Sequence, residues 1–165
     1  MADFWLDAGV FIRPNRDGFY SLQLVPTFWQ MLVQKAAEGT LASPMRVYQE
    51  IADYGDNLSA WANDHRDSGL FVVADQNVQA KFTQVADYVT QNYSGHKAQE
   101  FLGGADPWVI AHALADNSTI VGYESRVDIS SQTPKIPNVA QAFQIRTVSL
   151  YQMIQTLGVV LEFRG

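Results

Sequence analysis

The sequence predicts an α/β domain with a mainly parallel central sheet, and two patterns support this. Three short apolar runs, at residues 4–6, 70–73 and 119–121, are rich in β-branched and aromatic side chains and are too short for helices. Longer segments with helical periodicity separate these runs, and such alternation is typical of parallel sheets. Because 165 residues suffice for one core, we expect a single domain over residues 1–165.

The first two helices are marked by residues that start or stop them. Pro26 suits a first helical turn and Gly39 a C-terminal stop, and apolar side chains recur on one face between them. Ser43 and Pro44 repeat the start signal, a capping hydroxyl followed by a proline at the first helical position. We therefore expect one helix between Pro26 and Gly39 and a short second helix from Pro44.

Start signals also mark helices in the second half of the chain. Asp75 can cap a helix whose apolar residues step by four, three and four, and Asp106 before a proline opens a strongly apolar helix. Residues 93–104 and 125–138 are polar or rich in glycine and proline, so they are predicted loops, the first with one helical turn. A further apolar run at residues 159–163 is a candidate strand.

The composition limits the classes of function. Eleven Lys and Arg residues against 17 Asp and Glu give a net charge of −6, and no basic run is present, so any nucleic-acid contact must be local. The absence of cysteine excludes disulfides, thiolate metal sites and cysteine nucleophiles. Asp3 and Asp7 interrupt the region where a secretory signal needs basic and then apolar residues. With no apolar stretch of membrane-spanning length, we expect a cytoplasmic protein without a membrane partner.

Four acidic residues fall at informative places. Asp7 follows the first predicted strand, and Glu124 lies three residues beyond the strand at residues 119–121. In open parallel sheets the ligand crevice lies outside the carboxyl ends of the strands, which is where both carboxylates are expected. Asp106 heads a helix, and Glu50 lies beside an apolar helical stripe, so its side chain tends toward the sheet.

Converging carboxylates without a fixed cation repel one another, and a divalent metal relieves that repulsion. Oxygen ligands indicate Mg²⁺ or Mn²⁺, and such an ion can activate water and neutralise a phosphodiester during in-line displacement. The cluster therefore indicates hydrolysis of nucleic acid. Each acid also has a structural alternative: Asp106 as a helix cap, Asp7 as a turn residue, Glu50 as a solvated helix residue, and Glu124 paired with Arg126.

Arg13 and Arg16 follow the first predicted strand and lie near the predicted crevice. Guanidinium groups bind phosphate well, so both are candidates for contacting an RNA backbone. The alternative is that both are ordinary exposed arginines, which are common.

The order and spacing of several segments resemble the PIN-domain superfamily, and nearly the whole chain takes part. More narrowly, the chain resembles a PIN-like family of unknown function that is related to VapC-type toxins of prokaryotic toxin-antitoxin systems. The segments that carry the resemblance are residues 5–12 (WLDAGVFI), 25–29 (VPTFW), 43–51 (SPMRVYQEI), 56–61, 105–111 (ADPWVIA) and 136–139 (IPNV).

The resemblance implies a three-layer α/β/α, Rossmann-like fold and a Mg²⁺- or Mn²⁺-dependent endoribonuclease site. Position by position, Asp7, Asp106 and Glu124 match metal-binding acids, and Glu50 matches the helical glutamate that holds a metal-bound water directly or through the metal. The implied partners are an RNA substrate and a cognate antitoxin, which we expect to block the acidic crevice with an inserted arginine. PIN toxins often dimerise, so a homodimer is a further expectation.

Two departures from the family pattern favour a competing hypothesis, a degenerate PIN domain that binds RNA or an antitoxin without cutting. Ala8 and Gly9 stand where many PIN domains have a hydroxyl residue and then Asn or Ser, and Gly122 stands where Thr is usual. Residues that hold a metal ligand in place typically contribute 10- to 100-fold in affinity or activity, so activity is expected to be weak. A haloacid-dehalogenase-type phosphatase is disfavoured, because it needs a second Asp where Gly9 stands.

Overall fold

A computed structural model describes residues 1–17, 19–123 and 130–163. In this part of the chain the strands are β1 (Phe4–Leu6), β2 (Leu41–Pro44), β3 (Phe71–Val72), β4 (Thr119–Gly122) and β5 (Thr147–Ser149). The helices are α1 (Gly9–Arg16), α2 (Pro26–Ala37), α3 (Met45–Ala52), α4 (Asn57–Asp64), α5 (Gln76–Asn92), α6 (Gly95–Gly103), α7 (Asp106–Asp116), α8 (Ile136–Ala142) and α9 (Leu150–Thr156).

The five strands form one sheet in the order β3-β2-β1-β4-β5, and every neighbouring pair is parallel. The helices flank the sheet in a three-layer α/β/α arrangement, as the sequence predicts. From β1 the chain moves outward to β2 and β3, and it then returns to the other side of β1 with β4 and β5. This reversal places a topological switch point between β1 and β4, where α/β sheets form their ligand crevice.

The core lies along β1, β4 and the helices packed on them. Leu6 and Val121, which are partners in the β1–β4 register, are fully buried. Two aromatic side chains of the α1 and α2 layers, Phe11 and Trp29, lie with ring centroids 6.5 Å apart and are almost completely buried. This packing fixes the ends of β1 and β4 relative to each other.

Most predicted elements are confirmed. The strands at residues 4–6, 70–73 and 119–121 correspond to β1, β3 and β4. The helix expected after Pro26 is α2, and Gly39 follows it with φ +77°, a conformation that favours glycine. Asp75 caps α5, because its carboxylate accepts a hydrogen bond from the Val78 amide at 2.9 Å.

The short helix expected from Pro44 is α3, which has Pro44 at its N-cap and begins one residue later, but the assignment of Ser43 as its capping residue is wrong. Both belong to β2, and α3 begins at Met45. Ser43 is fully buried, and its hydroxyl donates to the Leu6 carbonyl oxygen at 2.8 Å instead of capping a helix. The candidate strand at residues 159–163 is also wrong, since these residues pair with no described strand.

The two predicted loops are partly helical. Residues 95–103 form α6, which buries Ala98 and Phe101, and its glycines stand at the helix ends where they cost little. Of the loop expected over residues 125–138, the last part starts α8 at Ile136, and residues 124–129 lie outside the described residues. No helix in the described ranges is long and apolar enough to cross a membrane.

Candidate active site

Asp7 lies at the switch point of the sheet. It directly follows β1, and its backbone amide donates to the Val121 carbonyl oxygen of β4 at 3.0 Å, so both strands fix its position. One side-chain oxygen, Oδ1, accepts a hydrogen bond from the Val10 amide at 3.3 Å. That contact is typical of a turn residue. The charges of Asp106 and Glu50 also act on this carboxylate, which a turn role does not require.

Glu50 and Asp106 meet at the start of α7. Glu50 Oε1 accepts a hydrogen bond from the Ala105 amide at 2.9 Å, and Asp106 is the next residue. On the same face of α3, Arg46 donates to the Gly103 carbonyl oxygen at 3.0 Å. These two contacts attach α3 to the α6–α7 corner, so Glu50 has a fixed position although the residue is exposed.

Ala105, not Asp106, holds the N-cap position of α7, and its methyl group cannot accept a hydrogen bond. The interpretation of Asp106 as a structural cap is therefore wrong. Asp106 is the first residue of the helix proper, half-buried beside Glu50. This leaves its carboxylate available for chemistry at the crevice.

The charges of neighbouring acids act on the pKa values of Asp7 and Asp106. Burial, then the charge of Asp106 and more weakly that of Glu50, raises the pKa of Asp7 from 3.8 to about 7, although amide hydrogen bonds from Val10 and Gly9 oppose the rise. Burial and then the charge of Glu50 raise the pKa of Asp106 to about 6. Raised carboxyl pKa values with named like-charge neighbours at a crevice are a recognised mark of a functional site.

Gly9 is adapted to the conformation of Asp7. A Cβ atom added at Gly9 would stand 3.1 Å from Asp7 Oδ1, closer than most Cβ contacts. The backbone amides of Gly9 and Val10 donate hydrogen bonds to the Asp7 carboxylate. Backbone amides therefore hold this carboxylate where the resemblance led us to expect polar side chains.

Ser43 is a positioning residue that the sequence interpretation missed. Its buried hydroxyl bonds the carbonyl of Leu6, the residue before Asp7, and its own amide donates to the Leu70 carbonyl oxygen at 2.8 Å. It thus ties the end of β1 to β2 and β3. A serine between a small apolar residue and a proline is also a capping signal, and no local pattern separates the two roles.

The two candidate phosphate contacts lie in different surroundings. Arg13 is exposed on α1, its guanidinium lies 5.1 Å from the centre of the Tyr123 ring just beyond β4, and it pairs with Asp17 at 3.5 Å. Arg16 lies over Tyr54 at 5.5 Å, on the side of the α3–α4 connection. Arg13 is therefore next to the crevice, and Arg16 is farther along the surface.

Glu124, the predicted fourth acid, lies outside the described residues, and so does Arg126. Among the residues that are described, no group of three or more His, Asp or Glu side chains already stands in a metal-holding arrangement. The donor chemistry nevertheless fits a hard divalent cation, since Asp7, Glu50 and Asp106 offer only carboxylate oxygens and repel one another without a cation.

The fold and its crevice define the class of this protein: it has a PIN-like fold of the kind found in VapC-related proteins. A solved chain from the "Crystal structure of VapBC2 from Rickettsia felis bound to a DNA fragment from their promoter" is similar to it with a TM-score of 0.53. The two are 11% identical in sequence, and the similarity covers 90% of this chain and 98% of that one. At this identity the likeness establishes the fold.

The chain belongs to the family described as "Domain of unknown function (DUF4411)", whose profile matches residues 4–161. No curated protein matches the chain. The family assignment agrees with the resemblance found in the sequence, a PIN-like family of unknown function.

Proposed function

We propose that this protein is a Mg²⁺- or Mn²⁺-dependent endoribonuclease that hydrolyses RNA phosphodiester bonds as the toxin of a prokaryotic type II toxin-antitoxin system. The observation that carries the proposal is the placement of three acids: Asp7 is fixed between β1 and β4 at the switch point of a PIN-like sheet, and Glu50 binds the amide of the residue before Asp106. Raising the pKa values of the half-buried Asp7 and Asp106 carboxyl groups is unfavourable for the ionised protein, and a site that binds a cation would explain why the acids are together.

The roles that we propose for the acidic residues are those that the family resemblance implies. Asp7 and Asp106 would hold the ion, Glu50 would orient a water molecule bound to it, and Glu124 is expected to complete the set. When bound, the ion supplies Lewis-acid stabilisation and a water of lowered pKa. Arg13, exposed beside the crevice, would contact an RNA phosphate, and Arg16 would extend that contact along the strand.

The amides at the start of α1 hold Asp7 in one orientation. The bond from Ala105 to Glu50 does the same for the glutamate. Preorganised acids lose little freedom on binding an ion and substrate, which favours the reaction. The net charge of −6 then restricts RNA binding to this small region, as expected for a selective nuclease.

The biological setting is proposed by analogy of fold. The VapBC2 structure is, by its description, a complex on promoter DNA. For the present chain we infer an antitoxin partner that covers the acidic crevice, with an arginine among the carboxylates, a homodimeric state, and a cytoplasmic location. An antitoxin docked far from Asp7 in a structure of the complex would contradict the predicted mode of inhibition.

The experiment that tests the function is cleavage of a mixed RNA substrate by the purified protein. Mg²⁺ or Mn²⁺ should be required, EDTA should stop the reaction, and Asp7→Asn and Asp106→Asn should each reduce the rate by about 100-fold or more, which corresponds to about 3 kcal/mol of transition-state stabilisation. Asp87→Asn, a change at an exposed position of α5, is the matched control and should cut like the parent. Equal rates for the parent and both site variants would show that the site is wrong.

A degenerate PIN domain remains a second candidate, favoured by Ala8, Gly9 and Gly122 in place of the usual polar residues. Such a protein would bind RNA or an antitoxin through the same surface without cutting. It predicts that the parent fails to cleave in any divalent metal and that its melting temperature does not rise with Mn²⁺.

A further inference from the structure

A second concave feature lies beside the acidic crevice. This pocket has a volume of about 260 Å³ and lies between the start of α3, the end of β3, the start of α5 and one face of α7. Its polar lining residues are Arg46, Gln49, Gln79 and His112, and Trp108 provides its aromatic wall. We refer to it as the His112 pocket.

His112 is the informative residue of this pocket. It is 2% exposed, and its ring stacks on Trp5 with centroids 4.1 Å apart. Within the described residues, no hydrogen bond to its ring nitrogens is formed, although the residue lines the pocket. Burial lowers the pKa of His112 to about 4, against the opposing charges of Asp116 and Asp75. At neutral pH the ring is therefore neutral and carries one N–H donor and one acceptor nitrogen at the pocket wall.

The remaining walls combine flat apolar surface with amide groups. Trp108 is held by stacking on Phe82, with ring centroids 4.0 Å apart and planes 18° apart. Gln49 and Gln79 each contribute a carboxamide, which can donate and accept at once. Gln79 is exposed and bonds only a backbone carbonyl, that of Ala74 at 3.2 Å, so it can exchange this bond for a ligand. A planar heteroaromatic ring with donors and acceptors on its edge fits this lining.

The pocket lies at the carboxyl ends of β2 and β3, the same edge of the sheet as Asp7, and it shares α3 and α7 with the acidic site. Gln49 precedes Glu50 in α3. The Trp108 amide donates to the Ala105 carbonyl oxygen, and the Ala105 amide donates to the Glu50 carboxylate. A strand with a phosphate at Asp7 and Asp106 therefore passes close to the pocket entrance. Arg46 lines the pocket, and its guanidinium already donates to the Gly103 carbonyl oxygen at 3.0 Å and to Gln49 Oε1 at 3.3 Å.

We propose that the His112 pocket binds one unstacked base of the RNA strand that reaches the acidic site, and that Gln79 and His112 read its edge. This rests on the proposed nuclease function, and it adds a base preference to it. Sequence-specific recognition of RNA generally works on such splayed single-stranded bases.

The test measures binding separately from cleavage. The Asp7→Asn protein, in EDTA, is titrated with each of the four ribonucleoside monophosphates and with short oligoribonucleotides, while the side-chain amide and indole NMR signals of Gln49, Gln79 and Trp108 are followed. One base should bind at least about fivefold more tightly than the weakest, with shifts confined to this pocket. Adding Gln79→Ala should weaken binding by about five- to tenfold, the effect of one lost hydrogen bond. Gln84→Ala, exposed on the same helix, is the control.

Three results would overturn the proposal: no base binds, the two glutamine variants bind alike, or free nucleotides bind and oligoribonucleotides do not. The last would assign the pocket to a free nucleotide. Failure of the nuclease is recognised independently, because it appears as absence of cleavage by the parent even where bases bind. Conversely, cleavage by the parent without any base binding would support the proposed nuclease function and contradict the proposed base-binding role of the His112 pocket.

Discussion

Replacing Asp7 with asparagine is expected to stabilise the metal-free protein at about pH 8. The folded protein raises the pKa of Asp7 from 3.8 to about 7, so folding favours the neutral acid. Stability from this group is complete below the unfolded pKa and is lost as the pH rises through the folded pKa. The rise corresponds to about 4 kcal/mol at most, and with solvent reaching the half-buried residue we expect about 2–4 kcal/mol.

Asparagine has nearly the shape of the protonated acid and keeps an oxygen to accept the Val10 amide, so Asp7→Asn avoids the penalty without losing that contact. The assay is urea unfolding in EDTA at about pH 8 and again near pH 4, where the difference between the variant and its parent should nearly vanish. Excess Mn²⁺ should reverse the order at pH 8, because the parent gains an ion. Asp87→Asn should change stability little at either pH. A variant less stable than the parent at pH 8 without metal would refute the reasoning.

Three further substitutions probe the support of the site. Gly9→Ala should weaken Mn²⁺ binding by about tenfold, since its Cβ would stand 3.1 Å from the acid, whereas Gly95→Ala, where a Cβ meets open space among the described residues, should not. Glu50→Gln should lower the pKa of Asp106, because it removes the charge that helps to raise it, and an NMR pH titration in EDTA would show no change if the two groups were uncoupled. Ser43→Ala should cost about 1–2 kcal/mol in urea unfolding by breaking a buried hydrogen bond, and an unchanged unfolding midpoint would contradict its positioning role.

Strand positions were predictable where burial is reflected directly in composition. β1 and β4 are buried at their centres and read as apolar runs, and the rule for the carboxyl ends of parallel strands then places Asp7 at the crevice. β2 was missed because LASP contains no β-branched residue and ends in proline, although all four residues are buried. β5 was also missed, because it is a strand of three residues at the sheet edge that buries only its middle residue, so it leaves no apolar run in the sequence.

The places of three acids in the fold were predictable, but the contacts that connect them were not. Strand ends, a helix start and a helical stripe pointed to Asp7, Asp106 and Glu50, and their catalytic roles stay predictions. The bond between Glu50 and the Ala105 amide joins residues 55 apart in sequence, and no local pattern reports such a contact. The close approach of Gly9 to the Asp7 carboxylate likewise depends on distances in the folded chain, which the sequence does not report.

The central claim is that Asp7, Glu50 and Asp106 form a divalent-metal site, and Mn²⁺ titration followed by electron paramagnetic resonance tests it most directly. The parent protein should remove the signal of free Mn²⁺ saturably, with affinity rising from about pH 5.5 to about pH 7.5 as the two raised carboxyl pKa values are passed. Asp7→Asn and Asp106→Asn should each lose this binding, and Asp87→Asn should retain it. Equal Mn²⁺ binding by the parent and the two site variants would contradict the account.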